Sequence, residues 1–146
     1  MDLILWRHAE AEEGAPDEQR KLTSKGHKQA EKMADWLSEH LSKPIKVLAS
    51  PAVRTQQTAK AFPGKFATSD AIGLSASPTS ILEAAGWPRA GGVVIVVGHQ
   101  PTLGMTAARL LCGKESEWSL RRGAIVWIVH KDGQNRLRAA LSPDLV

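Results

Sequence analysis

A single cysteine, Cys112, stands among the 146 residues, so no internal disulfide is possible, and it has no neighbours at metal-ligand spacing. Long hydrophobic runs are also missing. The longest aliphatic stretch, residues 93–97, is far too short to cross a bilayer. The chain begins Met1-Asp2 with neither a basic n-region nor an adequate apolar segment, so no signal peptide is expected. No basic block is interleaved with aromatics, which argues against a nucleic-acid surface. There is no internal repeat and no low-complexity linker. What remains, at 42% hydrophobic and 23% charged residues, is a soluble globular chain of one-domain size. A monomer in the cytoplasm, bound to neither membrane nor nucleic acid, is the expectation. The net charge of +4 comes from scattered residues; it fits either a mildly basic surface or a field that attracts anionic substrates.

Strand-like and helix-like segments alternate. Leu3, Ile4, Leu5 and Trp6 form a run too short for a helix and right for a buried strand. A polar loop over residues 10–21 follows. Ala30, Met33, Ala34, Leu37 and Leu41 recur at helical spacing, which predicts an amphipathic helix over 24–41 with Thr23 as its cap. A strand is predicted at 45–49. Ser50-Pro51 then reads as the cap and first position of a helix ending near Pro63-Gly64. A short strand is expected over 68–74, and a short helix over 79–85. Residues 92–97, rich in β-branched side chains, predict a central strand buried on both faces. A helix over 101–112 precedes two strands, 124–130 and 136–141, joined through Asp132-Gly133. The expected fold is a single three-layer α/β domain over 1–146, with a largely parallel central sheet and an antiparallel edge.

The chemistry lies where the strands end. The first ends at Arg7-His8, the second at Ser50-Pro51 with Arg54 one turn on, and the central strand at Gly98-His99-Gln100-Pro101. In an open parallel sheet these ends share one edge, where ligands bind. Two permanent guanidinium cations and two imidazoles, with no carboxylate cluster, suit a phosphoryl group. Helix amides after Ser50 and His99 would favour the same anion.

These residues fall in four ordered motifs, and together they resemble the histidine phosphatase superfamily. Trp6-Arg7-His8-Ala9-Glu10-Ala11 is similar to its Arg-His signature, in the form frequent in the small SixA-type branch. Leu22-Thr23-Ser24-Lys25-Gly26-His27-Lys28-Gln29-Ala30 resembles its LTxxGxxQA element. Ser50-Pro51-Ala52-Val53-Arg54-Thr55-Gln56-Gln57-Thr58-Ala59 resembles SPxxRxxQTA, and Val97-Gly98-His99-Gln100-Pro101-Thr102-Leu103 resembles VGHxPxL. The resemblance implies a phosphoglycerate mutase-like fold and a phosphatase needing neither metal nor cofactor. It implies His8 as nucleophile, with Arg7, Arg54 and His99 holding the phosphoryl oxygens. Arg20, before the LT element, is implied as a further phosphate contact. Physically, His8 must be neutral to attack, and neighbouring cations favour that state. Losing one charge-stabilising contact is expected to slow turnover about 10²–10³-fold.

Members of this superfamily that cleave phosphate esters typically carry a mid-chain acid to protonate the leaving alkoxide. Here the region from Leu74 to Pro78 holds no carboxylate. Asp70 and Glu83 are the candidates, read rather as a loop residue and an exposed helix residue. An imidazole leaves a P–N bond more readily than an alkoxide leaves an ester, so phosphohistidine is the expected substrate, and the resemblance to the SixA-type branch implies that it is carried by a signalling, phosphotransfer or phosphocarrier protein. Two other readings stand: a small-molecule phosphatase or mutase using Asp70 or Glu83, and a non-catalytic phosphoprotein-binding module. His27, His40 and His130 read as solvent-facing or half-buried, and Cys112 as a packed small residue. Glu10 and Glu12 read as loop solvation rather than tuning of His8. The five tryptophans read as core or rim, with Trp87 the one candidate for a pocket edge.

Overall fold

Alternation of apolar runs and amphipathic segments resolves, in a computed structural model describing residues 1–42 and 44–146, into a mixed sheet between two pairs of helices. In chain order the elements are β1 (Asp2–Arg7), α1 (Ser24–His40), β2 (Ile45–Ala49), α2 (Val53–Lys60), β3 (Ala67–Thr68), α3 (Pro78–Ala85), β4 (Val93–Gly98), α4 (Thr102–Cys112), β5 (Ile125–Lys131) and β6 (Gln134–Leu141). Short 3-10 turns occupy Asp17–Gln19, Asp70–Ile72 and Pro143–Leu145. The sheet order is β3-β2-β4-β1-β5-β6. The first four are parallel, while β5 and β6 run antiparallel as a hairpin beside β1.

Side chains alternate across the strands, so each strand feeds two cores. Leu3 and Leu5 of β1 join Val94 and Val96 of β4 beneath α3 and α4. Ile4 and Trp6 join Ile95 and Val97 beneath α1 and α2. Every residue of β4 is buried, as a strand covered on both faces must be. Local chemistry sets the helix ends. The Thr23 hydroxyl accepts from the Gly26 amide to start α1, and Ser77 with Ser80 forms a capping box for α3. At the hairpin, Asp132 (φ 53°) and Gly133 (φ 71°) both take the left-handed conformation, which suits the strand twist.

Three expectations are corrected. The helix predicted from Ser50-Pro51 begins at Val53 instead, because the buried Ser50 hydroxyl is engaged by Thr55 and His99. The strand expected over 68–74 shrinks to Ala67–Thr68, both exposed at the sheet edge. Ser69 then caps a 3-10 turn by accepting from the Ala71 amide. Cys112 is exposed rather than packed; it lies off the stripe through Leu103 and Ala107 that meets the sheet.

Candidate active site

The parallel register brings the reactive ends together, with Arg7 beside Gly98 and Ala49 beside Val97. Backbone bonds then clamp His8: its amide donates to the Gly98 carbonyl (3.1 Å), and its carbonyl accepts from Gly123 (3.0 Å). Its buried imidazole is oriented from within the same loop. Nδ1 lies 2.7 Å from the Ala9 carbonyl. A carbonyl can only accept, so Nδ1 carries the ring proton and Nε2 keeps its lone pair. Arg54 reaches that nitrogen from the first turn of α2, its Nε–H donating to His8 Nε2 at 3.3 Å.

Arg54 is 4% exposed, and each of its three nitrogens makes one hydrogen bond, which leaves two N–H groups free to donate. Its Nη1 donates to the Asp17 carbonyl (2.7 Å), and Nη2 pairs with Asp17 Oδ2 at 3.0 Å. His99 leaves the end of β4 with its ring 5.5 Å from that of His8, and its Nε2 lies 2.7 Å from Ser50 Oγ. Arg7 donates from Nη1 to the Leu120 carbonyl at 2.7 Å. Among the described residues, two buried side-chain nitrogens have no hydrogen-bond partner, Arg7 Nε and His99 Nδ1. Buried polar groups are rarely left so, and both belong to this cluster.

Burial, above all, lowers His8 to about 3, and nearby His99, Arg54 and Arg7 push the same way against the Ala9 carbonyl, which raises it. Burial likewise leads in lowering His99 to about 4; Arg54 and Arg7 assist, and Asp17 opposes. Both imidazoles are therefore neutral near pH 7 while the guanidiniums keep their charge. Burial lowers Arg7 as well, followed by the nearby Arg122.

Arg7, His8, Arg54 and His99 thus meet as the strand ends implied. Arg20 does not join them directly. Its Nε donates to the Glu12 carbonyl (2.7 Å), and Nη1 meets Asp17 Oδ1 at 3.1 Å. Asp17, which nothing in the sequence singled out, therefore bridges Arg20 and Arg54. Hydrogen bonds from Arg20 and then Arg54 hold its carboxyl below the usual range. Asp70 and Glu83 are exposed. Glu10 accepts from the Thr23 hydroxyl at 2.8 Å and meets Arg122 at 3.6 Å, so it joins α1 to the loop before β5 rather than solvating. His27 and His40 are exposed and His130 half-buried, as read from sequence. Trp87 packs edge-on to His130 (5.6 Å), whose amide bonds the Met1 carbonyl at the other end of the sheet; it does not edge the site.

The remaining motif residues tie loops together. Gln29 Oε1 accepts from the Glu10 amide, Gln57 Oε1 from Leu22, and Thr58 Oγ1 from Ala9. Gln100 links the Gly104 amide to the Trp118 carbonyl. Among the described residues, no group of three His, Cys, Asp or Glu side chains is placed to hold a metal ion.

The family model of the histidine phosphatase superfamily (branch 1) matches residues 3–71. A phosphohistidine phosphatase SixA homolog of Haemophilus influenzae is 33% identical across an alignment of 126 positions, with 75% of this chain and 77% of that protein covered. The solved structure of the protein histidine phosphatase SixA complexed with tungstate matches with a TM-score of 0.86 at 24% identity, over 99% of both chains. Phosphoserine phosphatase from Entamoeba histolytica, in complex with 3-phosphoglyceric acid, matches with a TM-score of 0.71 at 17% identity, over 97% of this chain and 96% of that one. At these identities the two structures share a fold, and a fold does not choose a substrate.

Proposed function

Because the chain belongs to the histidine phosphatase superfamily, we propose that it is a phosphohistidine phosphatase acting on a signalling or phosphotransfer protein through a phosphoenzyme at His8. The observation that carries this is the imidazole of His8, whose Nδ1 proton is committed to the Ala9 carbonyl and whose Nε2 lone pair meets Arg54. Nε2 attacks phosphorus in line. A new P–N bond forms to His8 as the P–N bond to the substrate imidazole breaks, and the departing ring takes a proton from solvent. Water then attacks phosphorus, releasing inorganic phosphate and His8. Arg7, Arg54 and His99 hold the three equatorial oxygens, where charge stabilisation counts most. The unpartnered Arg7 Nε and His99 Nδ1 are the donors for two of them. Arg20 acts at one remove, holding Asp17 against Arg54.

The choice of P–N over P–O follows from the carboxylates. Asp17 is the one nearest the cations, and its two arginines keep it ionised, so it has no proton for an alkoxide. Charge at the phosphoryl group comes from guanidiniums, so turnover is expected to persist in a chelator. The relative from Haemophilus influenzae carries the same activity in its name.

Phosphohistidine, an aryl phosphate and an alkyl phosphate, compared on wild type and His8→Ala, test this. Phosphohistidine is expected to be hydrolysed fastest and the alkyl ester slowest, with His8→Ala folded and inactive on all three. Acid quench of wild type is expected to lose the phosphoryl adduct and alkaline quench to keep it, as befits phosphohistidine. Full turnover by His8→Ala would refute the nucleophile. Efficient alkyl-ester hydrolysis that disappears in Asp70→Asn or Glu83→Gln would refute the substrate.

A further inference from the structure

Beside the candidate site lies a groove of about 630 Å³ that shares Arg7 with it and is lined by neither imidazole. One wall is α1, where Lys25, Lys28 and Lys32 lie three and four residues apart and so share one face. The other wall is the loop into β5, bearing Arg121 and Arg122. Two carboxylates line it, and each has a partner on the spot. Glu10 meets Arg122 at 3.6 Å, and Asp144 meets Arg121 at 3.3 Å. Arg7 and the three lysines have no carboxylate within 4.0 Å among the described residues. The six cations and two carboxylates of the groove leave a surplus of four, equal to the net charge of the entire chain. The positive field is therefore concentrated here rather than spread evenly.

We propose that this groove docks an acidic segment of the phosphorylated protein, flanking the residue whose phosphoryl group enters the site. The proposal rests on the phosphatase assignment above and adds the chemistry of the partner. Because Arg7 belongs to both groove and site, whatever fills the groove is contiguous with the phosphoryl group. From Lys25 to Lys32 the helix advances by about 10 Å, longer than one phosphate and matched to several residues of extended chain. Aligned like charges on an open rim act mainly on encounter, raising association rates about 10–10³-fold at low salt.

Synthetic phosphohistidine peptides of equal length, flanked by Asp and Glu, by Gln and Ser, or by Lys, test the inference. Binding by fluorescence anisotropy and turnover by phosphate release are measured for each. Wild type is expected to favour the acidic over the neutral peptide about tenfold in kcat/KM, with the advantage vanishing near 1 M salt. The exposed triple variant Lys25→Glu, Lys28→Glu, Lys32→Glu is expected to favour the basic peptide while hydrolysing an aryl phosphate at the wild-type rate. The neutral triple Lys→Gln variant is expected to show no preference. Equal binding and turnover of all peptides by wild type, or an unchanged acidic preference in the Glu variant, would overturn the docking surface. Acidic preference in binding with no turnover of any peptide would support the groove and refute the phosphatase assignment.

Discussion

The hydroxyl of Ser50 has one proton and three neighbours, Thr55 Oγ1 at 2.6 Å, His99 Nε2 at 2.7 Å and the Ala52 amide at 3.3 Å. Thr55 has a carbonyl of its own to donate to, that of Ala52 at 2.8 Å. When Ser50 donates to His99 Nε2, the ring proton sits on Nδ1, and the buried, unpartnered nitrogen becomes a donor. The opposite tautomer would set a lone pair against phosphoryl oxygen. Ser50→Ala removes this bias. Its kcat/KM is expected to fall about tenfold, the size of one neutral hydrogen bond, against about 10²–10³-fold for His99→Ala. The ¹⁵N shifts of His99 should then show mixed tautomers; a pure Nδ1–H ring with unchanged kcat/KM would refute the role. That Arg7, His8, Arg54 and His99 come together was legible because each lies at or just beyond the end of a recognisable strand. Ser50 was misread as a cap, since its decisive partner lies 49 residues away. Asp17 was invisible because a loop has no period to mark which side chain turns inward.

Alongside the bond from Ala9 to Thr58 of α2, the loop that carries His8 is braced by α1. The helix passes so close to the chain after β1 that a Cβ on Gly26 would overlap the Glu10 carbonyl oxygen. Alanine there gains about 1 kcal/mol of helix propensity and meets backbone that cannot rotate away, an overpacking cost of about 1–3 kcal/mol. Gly26→Ala is expected to lose about 1 kcal/mol net in denaturant unfolding. Turnover should fall further than folded fraction explains, because Ala9 and Glu10 move with the loop that orients His8. A variant as stable and active as wild type would show that the helix stands clear. Strong periodicity made α1 readable nearly to the residue, and an unbroken β-branched run did the same for β4. β3 was not, because a two-residue exposed edge has too little burial to leave a pattern.

At the scale of the molecule, the fold gathers cations at one sheet edge and buries two imidazoles among them, which ties stability to pH. In the unfolded chain both histidines take protons near pH 6.5. In the folded protein they do so only near about 3 for His8 and about 4 for His99. Between those values the unfolded state binds more protons, so unfolding free energy falls as pH falls, and above pH 6.5 the pair contributes no slope. Asp17, held low by its arginines, adds a loss in the same direction at more acidic pH. Denaturant unfolding of wild type from pH 7.5 to 4.5 is expected to show stability declining below pH 6.5. His8→Gln should remove one proton's share, about 1.4 kcal/mol per pH unit near pH 5. His8→Gln with His99→Gln should remove about twice that. Inorganic phosphate, taken up by the same cations, should raise stability at pH 7 in wild type and less in the double variant. Parallel pH curves for all three proteins would mean that the imidazoles are solvated in solution, and burial would no longer be what keeps His8 neutral.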